Sequence, residues 1–312
     1  MKRTILGRTG LDVSVAGLGC GGSSRLGVSK HGLEHAANLV RTAFDNGVNF
    51  FDTANLYGTE EAVGLGLKGI SRDKYVLSTK FWYRNEQDIH SPEKLTQTLD
   101  ESLKTLQTDY IDIYHLHAVS PQDYDEVIDI YLPVIQDAQR QGKIRFLGIT
   151  ETFGGDTNHD MLIKALADDY FDVIMVGYNI INPSAAKTVL PAAMERNVGV
   201  LCMHAVRKSL SNPEQLKIDI QRILEKGQAD PELLKSYGTL EFLVRNGAAN
   251  SIMEAAYRFC GNTQGIHVTL TGTGNVDHLL DNLRAMQMPP LPDDIMRKLA
   301  LMFSNVDCVS GE

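Results

Sequence analysis

A carboxylate, a phenol, an ammonium and an imidazole, at Asp52, Tyr57, Lys80 and His117, form the set of side chains here with the clearest chemistry. Asp52, Lys80 and His117 each close a short apolar run, and Tyr57 follows Asp52 in the next loop. A tyrosine hydroxyl ordinarily titrates near pKa ~10, too high to exchange protons freely at neutral pH. A neighbouring ammonium such as Lys80 favours the phenolate and is expected to lower that value, and Asp52 can hold the ammonium in place. A neutral His117 can donate a hydrogen bond to a substrate oxygen. Together the four compose a general acid/base for a carbonyl that receives hydride. Taken singly, each also has an ordinary role, the charged pair as solvated caps and the tyrosine as packing. Only their meeting at one place would make them a site.

The elements that could bring them together are short, β-branched apolar runs at 16–21, 48–53, 75–80, 110–117, 144–150, 173–178, 198–203 and 268–271. Stretches of helical period separate them. Ser91 and Pro92 offer an N-cap and a first helical proline, after which Leu95, Leu99, Leu103 and Leu106 form one stripe. A second helix over 126–141 ends at Gly142, a residue suited to a left-handed cap. Strand–helix alternation of this kind predicts a parallel sheet. Eight strands, not five or six, predict closure into a (β/α)8 barrel, with one domain over 1–312. At the carboxyl ends of such strands Asp52, Lys80 and His117 converge. No Gly-x-Gly-x-x-Gly follows the first strand, since Gly17, Gly19, Gly21 and Gly22 miss that spacing. Runs 3–6 and 11–15 flank Gly7-Arg8-Thr9-Gly10 and read as a hairpin that could plug the barrel floor. Region 204–249, after the seventh strand, is too long for a loop. It holds two helix starts, at Ser211-Asn212-Pro213-Glu214 and Asp230-Pro231-Glu232, and reads as a helical flap over the mouth.

The 312 residues are 43% hydrophobic and 22% charged, a globular balance. A formal charge of −9 without a dense Lys/Arg cluster argues against a nucleic-acid surface. No apolar run approaches the ~20 residues that span a bilayer. Cys20, Cys202, Cys260 and Cys308 are scattered and read as reduced, buried thiols, which makes the cytoplasm the expected compartment.

Phe51-Asp52-Thr53-Ala54-Asn55-Leu56-Tyr57-Gly58, followed by Glu60, Glu61 and Gly64, resembles the aldo-keto reductase signature. Val76–Lys80 resembles that family's lysine strand, Asp109–His117 its histidine strand, and Gly142–Thr150 the block that comes next. The order is right over nearly the whole chain. The resemblance implies a nicotinamide-dependent oxidoreductase of aldehydes, ketones or aldoses. Tyr57 would be the proton donor or acceptor, Lys80 its tuner, Asp52 the partner of Lys80, and His117 the group that orients the substrate oxygen. Trp82 would line the substrate loop, or serve as a partly exposed packing aromatic. From Leu6-Gly7-Arg8-Thr9-Gly10-Leu11 onward the chain resembles both members that oxidise aldoses such as fucose or galactose and broad aldehyde reductases.

On the cofactor side the pattern departs from the family's. Where members hold the nicotinamide amide with Ser-Asn and Gln, this chain has Thr150, Glu151 and Met175. Thr150 keeps a hydroxyl and Glu151 could accept from the amide, whereas Met175 has none to offer. Met203 ends the seventh strand. Gly272, Thr273 and Asn282 fall in a segment similar to the family's adenosine-phosphate segment. NADP-preferring members place Lys and Arg where Gly272 and His278 align here. Without those cations a 2′-phosphate loses charge-assisted partners, so NAD, or use of both NAD and NADP, is expected.

Two rival readings remain at this level. His115 and His117 share a strand face, a spacing that metal-dependent barrel hydrolases use; later ligands are lacking apart from His204, so His115 reads as a core histidine and no metal is expected. A cofactor-binding regulatory subunit without turnover is the other, because fold alone does not prove chemistry.

Overall fold

The computed structural model describes residues 1–85, 88–237 and 240–312. Eight parallel strands close into a barrel: β3 (Ala16–Gly19), β4 (Phe50–Asp52), β5 (Val76–Trp82), β6 (Ile111–Val119), β7 (Ile144–Glu151), β8 (Val173–Gly177), β9 (Gly199–Met203) and β10 (Val268–Thr271), with β10 returning to β3. Helices between successive strands wrap the outside. Ahead of the barrel, β1 (Arg3–Ile5) pairs antiparallel with β2 (Asp12–Ser14).

Side-chain alternation explains how one barrel is greasy below and reactive above. Near the strand starts the inward positions are Phe50, Val76, Ile113, Val173, Met175, Leu201 and Val268, which form one cluster with Leu6, Leu11 and Val13 from the hairpin segment. The hairpin therefore plugs the floor, as expected. Further along the same faces come Asp52, Ser78, Lys80, His115 and His117, all buried. His115 needs room, and Gly148 on β7 supplies it, because a Cβ there would overlap the imidazole.

Local signals act as expected in the helices. Pro92–Leu106 opens with Pro92 after an extended Ser91, buries Leu95, Leu99 and Leu106, and ends at a left-handed Gln107. Tyr124–Arg140 is followed by Gly142 at φ +77°. Three strands outrun their sequence boundaries, β7 by one residue to Glu151. β5 continues two residues past Lys80 to Trp82, and β6 two past His117 to Val119, through a register shift at Ala118 with φ +52°. A charged residue looks like a strand end, but Lys80 is paired inside the barrel and the ladder runs on.

The long insertion holds helices Lys208–Ser211, Pro213–Glu225, Pro231–Tyr237 and Phe242–Arg245; positions 238–239 of the expected flap lie outside the described residues. Asn212 caps Pro213–Glu225 by accepting from the Glu214 N–H at 3.0 Å. Part of this insertion packs on the C-terminal segment. Gln228 bonds Asp307 at 2.5 Å, and Pro231–Tyr237 packs on the helix Asp293–Phe303, so those helices lie against the C-terminal segment. Arg207, near the start of the insertion, reaches toward the reactive end, close to Gly22 and Tyr57. Cys20, Cys202 and Cys260 are buried free thiols, and Cys308 is half-buried. Among the described residues no helix is long and apolar enough to cross a membrane.

Candidate active site

The inward faces of β4, β5 and β6, with the turn after β4, bring Asp52, Tyr57, Lys80 and His117 into one cluster. Lys80 Nζ donates to Asp52 Oδ2 at 2.6 Å and to the Thr53 carbonyl at 2.6 Å, in a site where Lys80 is 0% exposed. Tyr57 sits on a short 3-10 turn, Asn55–Tyr57, released by Gly58 at φ +68°. The turn lays the phenol ring across the barrel, its centroid 5.0 Å from Lys80 Nζ and its hydroxyl 3.1 Å from His117 Nε2. Gly21 makes that placement possible, since a Cβ there would lie 2.5 Å from the Tyr57 ring.

Sequence reasoning passed over the third member of the buried pair. Ser78, two residues before Lys80 and so on the same face, donates to Asp52 Oδ1 at 2.7 Å. Its single hydrogen is spent on the carboxylate, which can only accept, so the 3.1 Å contact with His115 Nε2 must be donated by the imidazole. His115 is thus a core residue that orients Ser78. Among the described residues no group of three or more His, Cys, Asp or Glu side chains is placed to hold a metal.

The electrostatics follow from burial. The Lys80 ammonium is opposed by desolvation, but the carboxylate of Asp52, with Tyr57 behind it, outweighs this and raises its pKa. His117 is driven well below the ordinary histidine value, first by burial and then by Lys80, and is therefore neutral at pH 7. Tyr57 corrects an expectation. Lys80 and Arg207 do pull its pKa down, but burial pushes harder and the net shift is upward, so Tyr57 is a protonated phenol.

The remaining expected contacts divide. Trp82 closes β5, half-buried, and stands edge-on to His117 with centroids 5.5 Å apart. Thr150 points inward, buried, with its hydroxyl accepting from the Ala118 N–H at 2.6 Å. Met203 is half-buried at the end of β9, above Met175, which belongs to the floor cluster. Glu151 is placed differently from the expectation. As the residue after an inward Thr150 it turns outward, and its carboxylate is occupied by His159 and by the Gly177 N–H. No oxygen of Glu151 is left facing the mouth for a carboxamide.

Along the neighbouring β3–β10 seam backbone packs closely on backbone: a Cβ on Gly272 would fall 2.6 Å from the Gly19 carbonyl, and one on Gly274 would lie 3.0 Å from Gly27. Asn282 Nδ2 donates to Thr271 Oγ1 at 2.9 Å, and Thr273 Oγ1 accepts from the Asn275 N–H at 3.1 Å. Arg207, which the sequence did not single out, supplies a cation. Its Nη1 is 3.4 Å from where a Cβ on Gly22 would stand, and it pairs with Glu312. Close backbone approach plus one guanidinium is a donor set that fits an anionic cofactor.

A barrel closed in this order, with a tyrosine and a paired lysine at its reactive end, defines a class. A profile of the aldo/keto reductase family matches residues 18–301, and the chain belongs to that family. It is accordingly an NAD(P)-dependent oxidoreductase of small carbonyl or alcohol substrates, and neither the metal hydrolase nor the silent subunit is favoured. Among curated relatives, L-galactose dehydrogenase of Arabidopsis thaliana is 30% identical over 293 residues, covering 90% of this chain and 86% of its own length. The aldo-keto reductase YhdN of Bacillus subtilis is 27% identical over 291 residues, 87% of this chain and 85% of its own. A solved aldo-keto reductase of Bacillus halodurans, in its holo form, shares the fold at TM-score 0.74 and 24% identity, with all of both chains covered.

Proposed function

We propose that Tyr57 is the general acid/base of this enzyme, and that the substrate is an aldose or a related polyhydroxylated aldehyde taken up at the mouth beside Trp82. The observation that carries the reading is the 3.1 Å approach of the Tyr57 hydroxyl to His117 Nε2 above the buried Lys80–Asp52 pair. A carbonyl oxygen set between the two would receive a hydrogen bond from each. The nicotinamide cofactor, when bound, supplies or accepts the hydride.

The chain's own groups handle the proton. In reduction the Tyr57 hydroxyl passes its hydrogen to the carbonyl oxygen as the carbon accepts hydride, and the phenolate left behind is stabilised by the Lys80 ammonium. In oxidation the same phenolate takes the alcohol proton. His117, held neutral, orients the oxygen without competing for the proton. Asp52, with Ser78 behind it, keeps Lys80 charged and in place.

Gly272, Thr273 and Asn282 would line the adenosine end, Arg207 the diphosphate, and Thr150 and Met203 the nicotinamide end. NAD is favoured over NADP, because no cation stands at Gly272 or His278 and Gly272 has no room for a side chain. The aldose class is supported by the similarity to L-galactose dehydrogenase over 90% of this chain. The test is a panel of aldoses and simple aldehydes with each cofactor, following reduced nicotinamide by absorbance. Aldose oxidation with NAD is expected. Turnover of unfunctionalised aldehydes alone would replace the aldose reading with that of a broad aldehyde reductase, and no turnover of either would remove the proposed function.

A further inference from the structure

Residues 309–312 form a strap across the loops that follow β8 and β9. Asn182 Nδ2 donates to the Val309 carbonyl at 2.9 Å, and Asn179 Nδ2 to the Ser310 carbonyl at 3.1 Å. The Ser209 N–H donates to the Gly311 carbonyl at 3.1 Å. Both asparagines are buried, and their own loop fixes which way each amide points. Asn179 Oδ1 accepts the N–H groups of Ile181 and Asn182, and Asn182 Oδ1 accepts the Ser184 N–H, so each Nδ2 is turned to the strap. At Gly311 the backbone takes φ +83°, a conformation open to glycine at little cost.

The strap brings the Glu312 side chain to Arg207, with which it pairs. One Glu312 oxygen lies 3.7 Å from His204 Nε2, and the other lies 3.2 Å from where a Cβ on Gly154 would stand. The carboxylate thus sits between the loops after β7 and β9. Burial opposes its charge, but the hydrogen bond from Arg207 outweighs this and holds its carboxyl below the ordinary value. Glu312 is therefore an anion at neutral pH. Arg207 is the cation assigned above to the cofactor diphosphate, and its charge reaches Tyr57. A guanidinium that already carries a carboxylate has fewer donors left for a phosphate, and two acids on one cation repel. The paired side chains are 31% and 41% exposed, and a pair this open to water is weak enough to be exchanged.

We propose that Glu312 is an internal stand-in for the cofactor diphosphate: in the free enzyme it occupies Arg207, and the dinucleotide displaces it on binding. The inference rests on the cofactor reading above, in which Arg207 meets the diphosphate. The strap stays in place during the exchange, because its anchors at Val309, Ser310 and Gly311 are bonds to backbone carbonyls that do not involve the Glu312 carboxylate. Glu312 therefore lowers affinity for ligands that carry the diphosphate, and for no ligand without it.

Wild type, Glu312→Gln, Arg207→Gln and the double variant would be titrated by calorimetry with NADH, with ADP-ribose and with adenosine, which has no phosphate. Glu312→Gln keeps the shape of the side chain and removes its charge. It is expected to tighten NADH and ADP-ribose about fivefold while adenosine stays within about twofold. Arg207→Gln should weaken NADH and ADP-ribose about tenfold. In that background the added Glu312→Gln should change either by less than about twofold. Unchanged or weaker NADH binding by Glu312→Gln overturns the proposal. So does equal tightening of adenosine, or a gain that persists in full without Arg207. A wild type that binds no dinucleotide, or an Arg207→Gln variant that binds ADP-ribose as well as wild type does, would instead remove the cofactor reading, and this inference with it.

Discussion

Lys80 Nζ lies 2.6 Å from Asp52 Oδ2 in a pocket that excludes water, the two residues being 0% and 3% exposed. A charge pair this deep gains little over apolar side chains of like size, yet halving it strands a charge at a cost of about 3–5 kcal/mol. Lys80→Met alone should therefore lower unfolding free energy by about that amount. Asp52→Asn combined with Lys80→Met should regain most of it without regaining turnover. Urea melts and turnover on wild type and the two variants check this; a double variant no more stable than the single would mean that the pair is not what buried Lys80 requires.

Removing the Tyr57 hydroxyl tests the proton step by itself. Tyr57→Phe should lose about 10²–10⁴-fold in turnover while keeping the dissociation constant of the reduced cofactor nearly unchanged. Because burial raises the Tyr57 pKa, reduction should hold steady through neutral pH and decline only on the alkaline side, whereas oxidation should climb with pH. Steady-state pH profiles in both directions decide it.

Stability should fall on the acid side, because of the buried histidines. His115 and His117 sit well below their ordinary value, and His204 is lowered to about 3, burial being the first cause for each. Above pH ~6.5 both folded and unfolded chains hold them neutral, and their contribution is complete. As pH drops through ~6.5 the unfolded chain takes up protons that the folded one refuses. Stability then declines by up to about 1.4 kcal/mol per pH unit for each histidine. Urea melts between about pH 7.5 and 5 should show that slope. His115→Asn, which keeps a donor toward Ser78, should make it shallower by one histidine's share.

Cofactor choice should respond at only one of the two positions where the family places cations. Gly272 cannot carry one, since its Cβ would sit 2.6 Å from the Gly19 carbonyl, but His278 is exposed on the first turn of the helix Val276–Ala285. His278→Arg should tighten NADP about tenfold with NAD little changed, as one charge-assisted hydrogen bond to phosphate allows. Equal effects on both cofactors, measured by fluorescence titration, would place the adenosine end elsewhere.

Much of the architecture was legible residue by residue. The eight apolar runs are the eight barrel strands, because period-two burial and the signals at Pro92, Gly142 and Asn212 act over a few residues and need no distant partner. Asp52, Lys80 and His117 were legible for a related reason: barrel topology puts strand ends at one place whatever the helices between them do. Strand limits were less so, since Lys80 and His117 looked like ends until the charges were seen to be satisfied inside.

What the chain order could not show was which long-range contacts win. Glu151 reads as a free acceptor beside Thr150 until the fold brings His159 and Ser184 to it, and Tyr57 reads as an activated phenol until burial is weighed against Lys80. Arg207, Glu312 and Ser78 carry no motif, and only the closed barrel gathers them. Alternation and turn chemistry are local and written in neighbouring residues. Burial, pairing and the direction of a pKa shift depend on atoms tens or hundreds of positions away, and the tertiary structure alone decides them.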